Sequence, residues 1–264
     1  MDVLKRNNVK VFGQGDKTLL FSHGFGCDQN MWRLITANFV TDYQIVLFDH
    51  VGAGNSDLSA YDKQKYNSLN GYAEDLLAIC QALNLSNVIL IGHSVGAMIG
   101  ILSAIRQPEY FQKLILVGPS PCYFQQEEYY SGFTYTDIQD MLNHMETDYV
   151  NWSLTFAQFI LGNKPHPAHV QEMTDSFCNT HPEIAKHFAQ VCFLSDNRSD
   201  LALVKTKTYI LQCSDDMIAP EEVGRFMSQV IEESVFIKLQ ATGHCPNLSS
   251  PLETTSVIES CLAD

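Results

Sequence analysis

Residues 92–96 read Gly-His-Ser-Val-Gly, and the segments on either side of them differ in character. The preceding run, residues 87–91, is short, apolar and rich in β-branched residues, which predicts a buried strand. The following run, residues 95–106, has the apolar spacing and the length of a helix. A serine between glycines, with a strand before it and a helix after it, is typical of a tight turn that exposes a nucleophilic hydroxyl. We therefore predict that Ser94 is a catalytic nucleophile.

The composition of this turn has a physical reason. A nucleophile on so tight a turn must adopt strained backbone angles, and its close neighbours must be small, so Gly92 and Gly96 supply the space. The helix that follows offers free N–H groups and the positive end of its dipole to a developing oxyanion. The five residues thus predict a fold, a nucleophile and a class of reaction.

The composition of the whole chain is that of an ordinary globular protein. Its 264 residues, 45% hydrophobic and 17% charged, suffice for one α/β domain with an insertion. The chain has 30 acidic and 16 basic residues, and its formal net charge is −14. Because nucleic acids and anionic membranes are bound through basic patches, this balance argues against both as partners.

The cysteines and the apolar stretches indicate the compartment. The 8 cysteines form no Cys-x-x-Cys pair, which gives little support to a zinc site or a thioredoxin-like centre. The first residues lack the apolar core of a signal peptide, and the longest apolar stretch, residues 88–102, is too short to span a bilayer. We expect a reduced, soluble, cytoplasmic protein.

Short β-rich runs alternate with helical patterns over most of the chain. This alternation predicts an α/β fold with a mostly parallel central sheet flanked by helices. The candidate strands are residues 18–22, 44–48, 87–91, 113–117, 208–213 and 234–239. The candidate helices are residues 31–39, 69–83, 95–106, 221–230 and 252–262.

Residues 119–195 interrupt the alternation. They are helical in character, rich in aromatic residues and poor in strand signals. We expect them to form a helical cap inserted into a core of residues 1–118 and 196–264. Their aromatic side chains either pack the cap helices together or form an apolar pocket wall over the nucleophile. The residues predicted to line that pocket are Phe124, Phe133, Trp152, Phe156, Phe159, Phe188, Cys192 and Phe193.

A serine hydroxyl needs a base to accept its proton, and the base needs an acid to orient it. After a turn of this type the chain order is Ser, then Asp or Glu, then His. His244 follows the last predicted strand, on a loop after a glycine, and we predict that it is the base. The acid is expected after the strand at 208–213, where Asp215 and Asp216 are adjacent, and spacing alone leaves both open.

An oxyanion hole needs two backbone N–H donors. We predict Val95, which follows the nucleophile, and Phe25, in the His-Gly-Phe-Gly loop after the first predicted strand. His23 in that loop is interpreted as fixing the turn, not as a second base. His93 is interpreted as structural, because its side chain points away from the nucleophile. Asp49 precedes a glycine-rich turn without the Gly-Lys-Ser/Thr ending of a phosphate loop, and we interpret it as a turn residue.

Several segments resemble RsbQ-like α/β-hydrolases, which are bacterial regulators in energy-stress signalling to sigma-B. The plant strigolactone and karrikin receptors belong to the same group. The segments are His-Gly-Phe-Gly-Cys-Asp-Gln (23–29), Gly-His-Ser-Val-Gly-Ala-Met-Ile-Gly (92–100), Val-Gly-Pro-Ser-Pro-Cys-Tyr (117–123), Leu-Gln-Cys-Ser-Asp-Asp-Met-Ile-Ala-Pro (211–220) and Gly-His-Cys-Pro (243–246). The resemblance extends over nearly the whole chain.

This resemblance implies an α/β-hydrolase fold with a four-helix cap over a small, enclosed, hydrophobic pocket. The acid of the family stands four residues before a proline, a spacing that Asp216 and Pro220 share. The implied catalytic residues are therefore Ser94, Asp216 and His244. The resemblance also implies a signalling role with a PAS-domain partner, such as an RsbP-like phosphatase.

These observations lead to one main hypothesis and two alternatives. We predict a serine hydrolase of a small hydrophobic ester or lactone that serves stress or sensory signalling and needs no metal or organic cofactor. The first alternative is a ligand-binding receptor that presents its cap to a PAS-domain partner with little need for turnover. The second is a plain metabolic carboxylesterase, which would use the same catalytic residues.

Overall fold

The computed structural model describes residues 2–163 and 165–264, and its strands form one central sheet. The strands are β1 Lys10–Gly13, β2 Lys17–Ser22, β3 Tyr43–Leu47, β4 Val88–His93, β5 Phe111–Val117, β6 Lys207–Asp215 and β7 Ser234–Thr242. Their order across the sheet is β1-β3-β2-β4-β5-β6-β7. The edge strand β1 runs antiparallel to β3, and all other neighbouring pairs are parallel. The predicted α/β fold with a mostly parallel sheet is confirmed.

Helices flank this sheet. They are α1 Val3–Arg6, α2 Arg33–Thr36, α3 Leu69–Ala82, α4 Val95–Arg106, α5 Tyr135–Thr147, α6 Tyr149–Ile160, α7 Pro167–Asn179, α8 Pro182–Phe193, α9 Glu221–Val230, α10 Pro246–Ser249 and α11 Pro251–Ala263. Helix α4 packs on β4 and β5 and against α3, while α9 packs on β6 and β7. No helix of the described segments combines the length and the apolar character needed to cross a membrane.

The central strand β4 shows why the sheet was predictable. All six of its residues are buried, since helices cover this parallel sheet and its strands read as continuous apolar runs. Such runs, followed by helices of 10 to 14 residues, give a strong local signal. Helices α4 and α9 begin and end at the predicted residues.

Two local predictions differ from the structure. The helix predicted at 31–39 is a 3₁₀ turn, Gln29–Trp32, followed by the single-turn helix α2. Strand β1 was not predicted, because its four residues are all exposed and form no alternating pattern at the edge of the sheet. Both elements are short, and short elements depend on their tertiary contacts more than on their own sequence.

Four helices, α5 to α8, lie between β5 and β6, as expected for the inserted segment. Helix α6 packs against α7, and α5 contacts both α6 and α8. Aromatic rings join these helices: Trp152 stacks on Phe156 with ring centroids 4.7 Å apart, and both rings contact Phe177. The division into a core of residues 1–118 and 196–264 and a cap of residues 119–195 stays a prediction.

The first turn of α4 lies in backbone contact with the end of β2. A Cβ atom placed on Gly96 would lie 2.5 Å from the main-chain oxygen of Ser22 and would also meet the main-chain oxygen of His23. A Cβ atom on Gly92 would lie 2.6 Å from the Cα of Ala97. These contacts involve backbone atoms that cannot rotate away, so both positions require glycine, as the sequence predicted.

We expect Gly96→Ala to lower the free energy of unfolding by about 1–3 kcal/mol, because the added methyl group displaces backbone. Gly100→Ala on the same helix is the matched control. There the methyl group meets only the flexible end of the Leu90 side chain. Urea denaturation of both variants measures the difference, and an equal loss at the two positions would contradict this explanation of Gly96.

Candidate active site

Ser94 lies between β4 and α4 in a strained backbone conformation. Its φ is +54° and its ψ is −124°, in the region that residues with a side chain rarely adopt. The Ser94 N–H donates to the main-chain oxygen of Val117 on the neighbouring strand, at 2.9 Å. The sheet therefore holds the strained residue in place. Such over-determined strain is typical of functional sites.

The hydroxyl of Ser94 begins a chain of hydrogen bonds. Ser94 Oγ lies 2.8 Å from Nε2 of His244, and Nδ1 of His244 lies 2.8 Å from Oδ2 of Asp216. Because a carboxylate only accepts, Nδ1 of His244 carries a proton and donates it to Asp216. Nε2 is then left to accept from the Ser94 hydroxyl. All three side chains are buried.

The two adjacent aspartates have different hydrogen-bond partners. Oδ2 of Asp216 faces His244, and Oδ1 accepts from the backbone N–H groups of Ile218 and Ala219 at 2.9 Å and 3.0 Å. Asp215 is exposed, and its carboxylate accepts from the side chain of Asn163 at 3.2 Å. Asp216 is thus the aspartate that the structure brings to His244.

Tyr123 is a polar neighbour of Ser94 that was not predicted from the sequence. Its hydroxyl lies 3.3 Å from Ser94 Oγ, and the residue is 1% exposed. Since Ser94 donates its proton to His244, the Tyr123 hydroxyl is the donor in this contact. Burial raises the pKa of Tyr123 well above its usual range, so the donor proton is retained. In the sequence Tyr123 is one of the aromatic residues of segment 119–195 and ends the Pro-Ser-Pro-Cys-Tyr stretch, and neither observation placed its hydroxyl at Ser94.

A cavity of about 20 Å³ lies over Ser94, which is room for about one water molecule. Apolar side chains form most of its wall, together with two cysteines. The lining residues are Phe25, Cys27, His93, Ser94, Phe156, Ile160, Phe193, Ile218, His244 and Cys245. Two residues of the predicted pocket, Phe156 and Phe193, are among them. The chamber is therefore small and lined mainly by apolar side chains.

The other predicted pocket residues lie farther out. Trp152 and Phe188 pack against the ring of Phe25, with centroid distances of 6.4 Å and 5.6 Å, and so support the chamber wall from behind. Burial raises the pKa of the Cys192 thiol to about 12, and this thiol lies beside Tyr123.

Like Trp152, Phe188 and Cys192, three further predicted residues do not line the chamber in the described structure. Phe124 packs against Tyr135, with ring centroids 5.4 Å apart. Phe133 and Phe159 contact each other beside an outer groove next to α6, and Phe159 is 37% exposed. The aromatic content of the segment could not separate inner from outer faces, because several helices of different orientation share it.

The predicted oxyanion donors lie close to Ser94. Val95 is the first residue of α4, and the first N–H groups of a helix have no partner within the helix. Phe25 follows the end of β2 and lines the chamber with Ser94. Their roles as donors stay predictions.

The neighbouring histidines and Asp49 fix turns. His23 Nδ1 donates to the main-chain oxygen of Gly24 at 2.9 Å, and its Nε2 accepts from the His50 N–H at 3.0 Å. Burial lowers the pKa of both His23 and His50. The Asp49 carboxylate accepts from the backbone N–H groups of Gln29 and Asn55, each at 2.9 Å. These contacts agree with the interpretation of His23 and Asp49 as turn residues.

Comparison with known proteins defines the family. The sequence model of the alpha/beta hydrolase fold matches residues 17–251. The chain belongs to the α/β-hydrolase family. A strigolactone esterase from Arabidopsis thaliana is 37% identical over 99% of this chain and 98% of its own length. A karrikin insensitive 2 receptor from Petunia hybrida is 35% identical over 94% of this chain and 93% of its own length.

A solved structure agrees with this assignment. A hydrolase from Oleispira antarctica is 36% identical, covers 100% of this chain and 97% of its own, and superposes with a TM-score of 0.97. This protein is therefore a hydrolase. The family match, the esterase relative and the solved hydrolase structure all agree on this. Among its described residues, no group of three or more His, Cys, Asp or Glu side chains is arranged to hold a metal ion.

Asp216→Asn should reduce the hydrolysis of p-nitrophenyl acetate by about a thousand- to ten-thousandfold. Asn can still accept from the N–H groups of Ile218 and Ala219, but its amide cannot hold His244 with a proton on Nδ1. Asp215→Asn is the matched control and should leave the rate within about twofold. The steady-state rates of the two variants are compared. A larger loss of rate in Asp215→Asn than in Asp216→Asn would show that Asp215, not Asp216, orients His244.

Proposed function

We propose that this protein hydrolyses small hydrophobic esters or lactones, with Ser94 as the nucleophile, His244 as the base and Asp216 as the residue that orients His244. The unbroken hydrogen-bonded chain from Ser94 through His244 to Asp216 carries the proposal. Such a chain supplies both parts of the chemistry, because it activates the hydroxyl and stabilises the imidazolium that forms.

The reaction proceeds in two halves. Ser94 Oγ attacks the carbonyl carbon while His244 Nε2 accepts the hydroxyl proton, and the carbonyl oxygen becomes an oxyanion that Phe25 N–H and Val95 N–H stabilise. The bond to the leaving oxygen then breaks, and His244 returns the proton to that oxygen. A water molecule, deprotonated by His244, attacks the acyl group on Ser94 and releases the acid. As the bond between the acyl carbon and Ser94 Oγ breaks, His244 returns the proton to Oγ, so the two halves together restore the resting enzyme.

The chamber supports the substrate class. Its wall is formed mainly by Phe25, Phe156, Ile160, Phe193 and Ile218, which favour an uncharged acyl group. The esterase relative is named for a small-molecule substrate, which agrees with this class. Because the chamber has room for about one water molecule, a substrate reaches Ser94 only when side chains of its wall move.

A second candidate function is that of a receptor in which ligand binding carries the signal and turnover is slow. The relatives at 35% identity or more include a protein named as a karrikin receptor, and this observation favours the candidate. The RsbQ-like role in stress signalling, the PAS-domain partner and the cytoplasmic location stay predictions. So does the alternative of a plain metabolic carboxylesterase.

Ser94→Ala should abolish hydrolysis of p-nitrophenyl acetate, with a loss of several orders of magnitude, because the attacking oxygen is gone. Ser103→Ala provides a matched control, since Ser103 is a buried serine on the same helix whose hydroxyl donates to Ile99. Undiminished hydrolysis by Ser94→Ala, measured as nitrophenol release, would overturn the proposal.

The time course of the wild-type reaction separates the two candidate functions. A hydrolase releases many equivalents of nitrophenol per protein at a steady rate. A receptor that holds its acyl product releases about one equivalent in a burst and then slows.

A further inference from the structure

The main chain of His244 is held from two sides. Its N–H donates to the main-chain oxygen of Ile160 at 2.6 Å, at the last residue of α6 in the inserted segment. Its carbonyl oxygen accepts from Nε2 of His93 at 2.7 Å. One anchor therefore belongs to a helix over the active site, and the other belongs to the strand that leads into the nucleophile turn.

The side chain of His93 is buried and tightly packed. The residue is 2% exposed, and its ring centroid lies 5.0 Å from that of His244. A Cβ atom on Gly24 would lie 2.5 Å from Nδ1 of His93, so the ring fills the space between the nucleophile turn and the loop after β2. Because a carbonyl oxygen only accepts, Nε2 carries the ring proton. Burial lowers the pKa of His93 to about 3, so the ring keeps this neutral form at neutral pH.

The two hydrogen-bond partners of the His244 main chain lie on different elements, Ile160 on α6 and His93 on β4. Phe156 and Ile160 of α6 line the chamber, and it has room for about one water molecule. An ester in the chamber would lie against these two side chains, and a shift at the end of α6 would move Ile160, the hydrogen-bond partner of the His244 N–H. His93 stands at the end of the central strand β4, whose residues are all buried. Its hydrogen bond does not depend on where α6 lies.

We infer that His93 is a positioning residue: its hydrogen bond to the main-chain oxygen of His244 holds that residue over Ser94 while α6 moves to admit substrate. The inference rests on the proposed function, since it assigns His244 as the base. It gives a role to the second residue of the Gly-His-Ser-Val-Gly turn, which the chemistry itself does not use. His93 touches no reacting atom in this account and acts only through His244.

Two carboxamide variants test the inference. The amide nitrogen of Gln reaches about as far as imidazole Nε2, whereas the amide of Asn ends near the position of Nδ1. His93→Asn should lower kcat for p-nitrophenyl acetate by about 10- to 100-fold, because the base is misplaced. His93→Gln should restore kcat to within a few-fold of wild type. Equal kcat values for the two variants, whether high or low, would overturn the inference.

A spectroscopic readout does not depend on turnover. The proton that His244 Nδ1 shares with Asp216 should give a far-downfield proton resonance in the wild-type protein and in His93→Gln, and this resonance should be lost in His93→Asn. A resonance at the wild-type position in His93→Asn, or none in the wild type, would overturn the inference. If the wild type hydrolyses no ester, the proposed function fails, while the resonance still decides the role of His93. Equal melting temperatures of the variants exclude a difference in folding as the cause.

Discussion

The left-handed backbone of Ser94 is the constraint on which the rest of the site depends. A serine with a φ of +54° stays in that conformation only where its surroundings leave no other choice. Here the bond from its N–H to Val117 fixes it to the sheet. Gly96 lets α4 approach the end of β2 in backbone contact, and Gly92 lets the end of β4 lie against the first turn of α4. The strain places the hydroxyl at the edge of the sheet, above the start of a helix, where an electrophile can reach it.

The parallel sheet then gathers the remaining groups. Phe25 follows β2, Ser94 follows β4, Asp216 follows β6 and His244 follows β7. Because the carboxyl ends of parallel strands meet at one edge, residues far apart in the chain come within hydrogen-bond distance. The inserted helices cover this edge with aromatic rings, and apolar surroundings strengthen the electrostatic interactions inside the chamber. The apolar chamber and the buried hydrogen-bonded chain thus arise from one topology.

Features encoded in a few consecutive residues could be predicted from the sequence. Features that depend on tertiary packing could not. The turn at Ser94, the helix after it and the late Gly-His pair each carry their own signal in a few residues. The choice between Asp215 and Asp216 depends on the direction of two adjacent side chains at a strand end, which spacing does not determine. Tyr123 reaches Ser94, and His93 reaches the His244 carbonyl, through contacts that no periodicity encodes. The aromatic residues of the insertion were recognised as a group, but only the packing of the helices separates Phe193, in the chamber wall, from Phe124, outside it.

Covalent labelling of Ser94 is the decisive experiment for its role as the nucleophile. An organofluorophosphate such as diisopropyl fluorophosphate reacts with a serine that a neighbouring base activates, with loss of fluoride, and peptide mass spectrometry locates the adduct. We expect one phosphoryl adduct, on Ser94, in the wild-type protein and little or none in His244→Ala. Absence of an adduct on wild-type Ser94, or equal modification in His244→Ala, would contradict it.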